Sequence, residues 1–449
     1  MRSRLRTILV LALATVAGCN PVERVRERFF DGPTPRDRYV QMLEWAGLEN
    51  TALAKDWLEA GERALREAVP ARTPHAEEIW LPPEQAGALG FRVSARRGQR
   101  LTITAGLRGD GTALLFLDAF RMTGDSLSPY RHEASADSAA RVLELEPRRD
   151  ADYIIRIQPE LLRGGRLSVR IELDATLAFP VEGGRSNDIG SRFGAPRDGG
   201  ARDHHGVDIF ARRGTPALAA TSARVSRVET TPIGGRVVWL RDARRNQSLY
   251  YAHLDSQYVS TGARLEPGDT VGFIGNTGNA RTTPPHLHFG VYSRGPVDPW
   301  PFIIQPSAQL PPLTADTSHV GHWVRTRRDR VRIAAAPGSG AGTLMELPRN
   351  TAIRVLSAGA DWYRVEMPDG GIGYVTAAAT ESADLPVDVA VLDTAGATLA
   401  APLADADVIE EIGTGTTLDV FGRFGEYLLV RRADGPLAWL PGPAEPRPN

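Results

Sequence analysis

Cysteine occurs once in 449 residues, at Cys19. One cysteine cannot form an intrachain disulfide, so packing and hydrogen bonding must hold this fold. Lysine is equally scarce: Lys55 is the single example, and arginine supplies the rest of the positive charge. That bias reads as the codon usage of a GC-rich genome rather than as a binding function. Formal net charge is −1, with acidic and basic residues interspersed. No long Lys/Arg stripe exists, which argues against a nucleic-acid partner. The apolar run at 8–14 is too short for a stable bilayer-spanning helix. A chain of this length exceeds one hydrophobic core, and roughly three domains is the prior.

The N-terminus reads as a targeting segment. Arg2, Arg4 and Arg6 precede the apolar run, the arrangement of a signal-peptide core. The run ends in Val16-Ala17-Gly18-Cys19, which resembles the lipobox of bacterial lipoproteins. That resemblance implies cleavage before Cys19 and acylation of its thiol and new amino group. Several acyl chains on Cys19 would anchor the chain to a membrane, where one alone binds only marginally. Asn20, rather than Asp, leans toward the periplasmic face of the outer membrane over the inner membrane. The plainer alternative is an ordinary signal peptide in which Cys19 has no role.

Beyond residue 19 the pattern expects a mainly all-β, multidomain chain. Residues 20–35 read as a tether, and 36–77 as a helical segment broken near 47–51. Tyr39, Leu43 and Ala46 share one face there, as do Leu53, Trp57, Ala60 and Ala64. From 78 to 178 the period changes to two, with strands near 100–104, 113–117, 142–145, 153–157 and 167–171 separated by Gly, Pro and Asp clusters. Short strands at this spacing suggest an antiparallel β-sandwich. His132 lies in a polar stretch there and reads as a surface histidine. Residues 180–305 carry further strand signals, Gly-rich turns and little helix.

The C-terminal part repeats itself at an offset of about 65 positions. Leu347 falls on Ile412, Thr351 on Thr416, Val355 on Val420 and Val365 on Val430, while Asp369-Gly370 falls on Asp434-Gly435. Asp-Gly between two alternating runs is a hairpin signal. The copies, at 322–384 and 385–443, resemble bacterial SH3-type barrels, which implies binding of cell-wall peptides. The alternative is that both copies are spacers whose aromatic residues pack the barrels.

Histidine is the residue whose distribution carries chemistry. Five of the nine histidines lie between 204 and 288. They fall in His204-His205-Gly206-Val207-Asp208, Tyr251-Ala252-His253-Leu254 and His286-Leu287-His288-Phe289, with Gly275-Asn276-Thr277-Gly278 between the last two. Imidazole and carboxylate are the usual ligands of zinc, and a catalytic zinc takes three protein ligands and keeps one position open. Residues two apart in a strand point to one side, so His286 and His288 share a space. The glycines Gly206, Gly275 and Gly278 let backbone crowd such a site. His205, next to His204 in an extended segment, points the other way.

This set resembles the lysostaphin-type, or LytM-type, zinc metallopeptidases over about 185–303. Ser191-Arg192-Phe193-Gly194, Gly214-Thr215-Pro216 and Pro285-His286-Leu287-His288-Phe289 add to the likeness. The resemblance implies that His204, Asp208 and His288 hold Zn2+, and that His253 and His286 act in proton transfer and charge stabilisation. Which of the two is the general base stays open. Pro284 stands where that family usually has glycine, and Gly290 where many members have Glu. The implied activity is hydrolysis of peptide cross-links in peptidoglycan by a membrane-anchored endopeptidase. Two alternatives remain: a non-catalytic activator of partner cell-wall hydrolases, and a peptidase of envelope proteins.

Overall fold

The computed structural model describes residues 32–108, 113–137, 141–304, 309–338, 340–431 and 435–442. Cys19, the signal segment and most of the expected tether lie outside these residues. The chain divides into two compact units, Met1–Glu49 and Asn50–Asn449.

In the first unit a helix spans Pro35–Trp45. Thr34 caps it: its hydroxyl accepts from the Asp37 backbone N–H while the Asp37 carboxylate accepts from that of Thr34. Pro35 suits the first turn, where its missing N–H would have had no partner.

The second unit begins with the helix Ala52–Arg66, capped by Thr51. It buries Ala54, Trp57, Ala60, Gly61, Ala64 and Leu65, while the expected Leu53 is only half-buried. Trp57 fixes the rotation, because its Nε1–H donates to the Pro159 carbonyl at 2.8 Å and its own carbonyl accepts from Gln158 at 2.7 Å. The helix ends at Arg66, where the helical pattern stops, and the remainder of the 36–77 segment holds the short strand Val69–Pro70 and the start of His75–Leu81.

The β-sandwich that follows has two sheets around one core. Alternation is clean in its paired strands Gln99–Leu107 and Gly165–Ala175. Leu101 lies opposite Leu173, Ile103 opposite Ile171 and Ala105 opposite Val169, all facing inward. Strands His75–Leu81, Leu89–Ala95 and Tyr130–Ser135 complete it without having been expected from the sequence. His132 is exposed, with Nε2 2.8 Å from the Ser135 hydroxyl.

An antiparallel sheet forms the next layer, in the order Ile189–Ser191, Val207–Phe210, His286–Tyr292, Gln247–Gln257, Gly235–Asp242, Ala223–Thr231, Arg264–Leu265. Val207, Ile209, Leu249, Tyr251, Leu287, Phe289 and Val291 turn to its core. The alternate residues of the same strands are thereby forced onto the opposite face. Its helix is a single short turn, Trp300–Ile303. On the sandwich side, Arg245 grips Glu146 with two hydrogen bonds of 2.9 Å each.

The two C-terminal copies repeat one strand order. Thr343–Leu347, Val331–Ala334, Ile372–Thr376, Trp362–Glu366 and Ala352–Ala358 correspond in turn to Val408–Ile412, Gly396–Leu399, Ala438–Pro441, Tyr427–Arg431 and Thr417–Phe424. The first copy is not free-standing. Its strand Ala352–Ala358 pairs with His75–Leu81 of the sandwich, Ala358 opposite Glu78 and Ser357 opposite Ile79. One sheet of eleven strands therefore runs from the sandwich into the first C-terminal copy.

Candidate metal centre

Two neighbouring strands build the floor of the site. Val207–Phe210 runs antiparallel to His286–Tyr292, placing Asp208 opposite His288 and Phe210 opposite His286. Core residues Ile209 and Leu287 between them force all four onto the other face. His204 enters from the segment just before the strand and is buried, 2% exposed.

His204 Nε2, Asp208 Oδ1 and His288 Nδ1 form a small triangle with sides of 3.0, 2.9 and 3.0 Å. Ligand atoms 2.0–2.1 Å from a tetrahedral ion lie about 3.3 Å apart, so the three atoms stand at nearly the separation a divalent metal requires. The tautomers agree. His204 Nδ1 lies 2.8 Å from the Arg192 carbonyl and is assigned as the donor to it, which leaves Nε2 as a lone pair. That lone pair then faces a carboxylate oxygen and a second imidazole nitrogen. A cation between them satisfies all three, which is the fit expected of a metal site. Among the described residues, this is the group of three or more His, Cys, Asp or Glu whose ligand atoms converge in this way.

Supporting contacts lock the ligands. The Arg192 guanidinium stacks on Trp300, 3.1 Å from the ring centroid, and so steadies the carbonyl that orients His204. Arg197 donates to Asp208 Oδ2 at 2.5 Å and to the Ser191 hydroxyl at 2.8 Å, leaving Oδ1 to face the triangle. Gly206 is required by close approach: a Cβ there would lie 2.7 Å from His288 Nε2 and 2.6 Å from the Phe289 carbonyl.

His253 and His286 stand beside the triangle. His286 donates through Nδ1 to the Pro284 carbonyl at 2.9 Å, and its Nε2 lies 3.9 Å from Asp208 Oδ1. Its ring is 5.0 Å from that of His253. His253 gets there through an irregularity in its strand. Tyr251 opposes Val238 and Leu254 opposes Arg236, so three steps on one strand match two on the other. Tyr251 and Leu254 both face the core, and the extra residue is absorbed at His253, whose φ is +61°. Regular alternation would have pointed this imidazole into the core. Its Nδ1 lies 2.9 Å from the Thr277 carbonyl, which assigns the proton there and leaves Nε2 as a lone pair. Burial and the nearby His288 push the imidazole down to about 4, against the pull of the Thr277 carbonyl.

The structure thus brings together all five residues singled out from the sequence. His205 is exposed and its ring lies against Phe193, away from the triangle. Arg197 was missed, because nothing in its spacing marks it; only the fold carries it to Asp208.

The central part of the chain is similar to known proteins. Residues 202–299 match Peptidase family M23. The chain is 34% identical over 133 residues to the L-Ala--D-Glu endopeptidase of Bacillus subtilis, covering 28% of this chain and 40% of that protein. It is 34% identical over 116 residues to the peptidoglycan DD-endopeptidase ShyC of Vibrio cholerae, covering 26% of each chain. Among solved structures, the catalytic domain of the antimicrobial peptidase lysostaphin from Staphylococcus simulans matches at 31% identity. That match covers 26% of this chain and 92% of the other, with a TM-score of 0.24. The chain therefore spans less than half the length of these two curated relatives, and the M23 match accounts for its central part alone.

Proposed function

We propose that this chain is a zinc-dependent endopeptidase that hydrolyses peptide cross-links of bacterial peptidoglycan. The observation that carries the reading is the triangle of His204, Asp208 and His288 with two further histidines beside it. The M23 match and the names of two relatives, an L-Ala--D-Glu endopeptidase and a peptidoglycan DD-endopeptidase, support the substrate class.

In this reading His204, Asp208 and His288 hold the ion. Zinc bound there supplies a Lewis acid for the scissile carbonyl and lowers the pKa of a water. Asp208 reduces the positive charge of the centre, and Arg197 keeps its second oxygen engaged. His253, kept neutral by burial and with Nε2 free, accepts the proton of the attacking water. His286 turns Nε2 toward the ligands and stabilises charge growing on the carbonyl oxygen. No side chain need become covalently modified.

The same reading places the chain in the bacterial envelope, anchored through acylated Cys19, with the C-terminal copies contacting the wall. Digestion of purified sacculi, with mass analysis of released muropeptides, tests it. Products cut within peptide stems or cross-links are expected. Release of none by zinc-loaded protein would overturn the reading in favour of a non-catalytic activator.

A further inference from the structure

The face that carries the metal triangle continues into three aromatic rings that the proposed chemistry does not use. Trp239 and Tyr250 sit directly opposite one another on adjacent strands, with ring centroids 4.4 Å apart. Tyr292 lies 5.1 Å from Trp239 and 6.3 Å from Tyr250. The Tyr250 ring is in turn 5.8 Å from that of His288, so the rings run unbroken to a metal ligand. All three are half-buried, leaving part of each ring open.

Their arrangement depends on Gly290, which pairs with Tyr250. A Cβ at this position would lie 2.8 Å from Cε2 of Tyr292 and 3.1 Å from the His205 carbonyl. Tyr292 leans across the gap that glycine leaves, its hydroxyl reaching the His205 carbonyl at 3.4 Å. Polar groups border the rings. The Arg227 guanidinium lies 6.0 Å from the Trp239 centroid and pairs with Glu229 at 3.2 Å.

We propose that this shelf binds a hexopyranose ring of the glycan strand, next to the peptide held at the metal centre. The proposal rests on the peptidoglycan reading above and names a second part of its substrate. A pyranose has a flat face of apolar C–H bonds and a rim of hydroxyls. Open aromatic faces bordered by phenol, guanidinium and carboxylate groups match both parts. An aliphatic peptide side chain would instead call for an enclosed pocket and would leave the charged rim unused.

Calorimetric titration of the full chain with peptide-free glycan strands, stripped of their stems by an amidase, is the test. Wild type should bind, and Trp239→Ala should bind about tenfold more weakly. Trp239→Phe keeps a ring and should retain most of the affinity. Gly290→Ala displaces Tyr292 without altering any ring and should also weaken binding; it decides the matter if Trp239→Ala fails to fold by circular dichroism. Absence of binding by wild type, or wild-type affinity in folded Trp239→Ala or Gly290→Ala, overturns the proposal. These readouts need no hydrolysis. Protein that binds glycan strands but releases nothing from sacculi keeps the sugar shelf and loses the endopeptidase reading.

Discussion

Asp208 and His288 face each other across two antiparallel strands, with Oδ1 and Nδ1 3.0 Å apart. Backbone pairing sets that separation, so two of the three ligand atoms are in place before any ion arrives. His204 is placed separately, by the Arg192 carbonyl.

Removal of any corner of the triangle should abolish stable metal binding. His204→Ala, Asp208→Ala and His288→Ala are each expected to lose zinc together with activity, because a three-ligand site has no spare donor. Elemental analysis after dialysis checks this, and full occupancy in one variant would remove that residue from the ligand set.

His253→Ala and His286→Ala should behave differently. Neither belongs to the triangle, so zinc content should stay near wild type while turnover drops about 10²–10⁴-fold. A rate close to wild type in either would show that its imidazole takes no part in proton transfer or charge stabilisation.

Arg197→Ala frees Oδ2 of Asp208 and leaves Ser191 without its donor. Metal affinity is expected to fall about 10–100-fold, the range seen when groups that orient ligands are removed. Competition with a chelating dye measures it. Both bonds leave from one terminal nitrogen, so Arg197→Lys keeps the charge and a multi-donor nitrogen but not the planar guanidinium that holds it in place, and only partial recovery is expected.

Glu146 ties the sandwich to the M23 region through Arg245, with Arg100 and Arg244 close by. Burial pushes its carboxyl up, but the three guanidiniums outweigh this and hold it below its ordinary value. The folded-state value lies under the unfolded one, so the stabilisation is complete above the unfolded carboxylate range, about pH 4.3. It disappears as pH falls through the folded value. Glu146→Gln should therefore lower Tm at pH 7 and converge with wild type in acid. Parallel melting curves at pH 7 would discard the role.

The proposed membrane anchor would depend on one sulfur atom. Cys19→Ala should lose labelled palmitate and leave the membrane fraction, provided no other segment binds the bilayer. Label on the alanine variant would refute the assignment.

Much of this architecture was legible in the sequence, for physical reasons that also mark where reading stops. Leu101, Ile103 and Ala105 alternate because one face of their strand is core, and the same rule put His286 and His288 together. His253 defeats that rule, since a bulge is needed to turn it from core to site, and a left-handed histidine leaves no trace in residue pattern. Leu53 gave way to Ala54 because Trp57 settles the helix rotation through a hydrogen bond 102 residues away. The pairing of Glu78 with Ala358 is likewise long-range, and Arg197 reaches Asp208, 11 residues on, across irregular chain; single-sequence periodicity carries no information about either.

That last pairing alters what the C-terminal copies are. Ala352–Ala358 closes an edge of the sandwich, and the seam is reinforced by Arg166, which donates to the Ser318 carbonyl at 2.8 Å, and by Trp80 lying against Gly321. Truncation after the M23 region would bare the edge of His75–Leu81 at Glu78 and Ile79, an invitation to aggregation rather than a clean removal of a module. The seam also makes the M23 region a long excursion between two segments stitched to each other. Tension applied to the first C-terminal copy would pass through hydrogen-bonded strands into the sandwich, and the metal triangle would sit outside the path of the force.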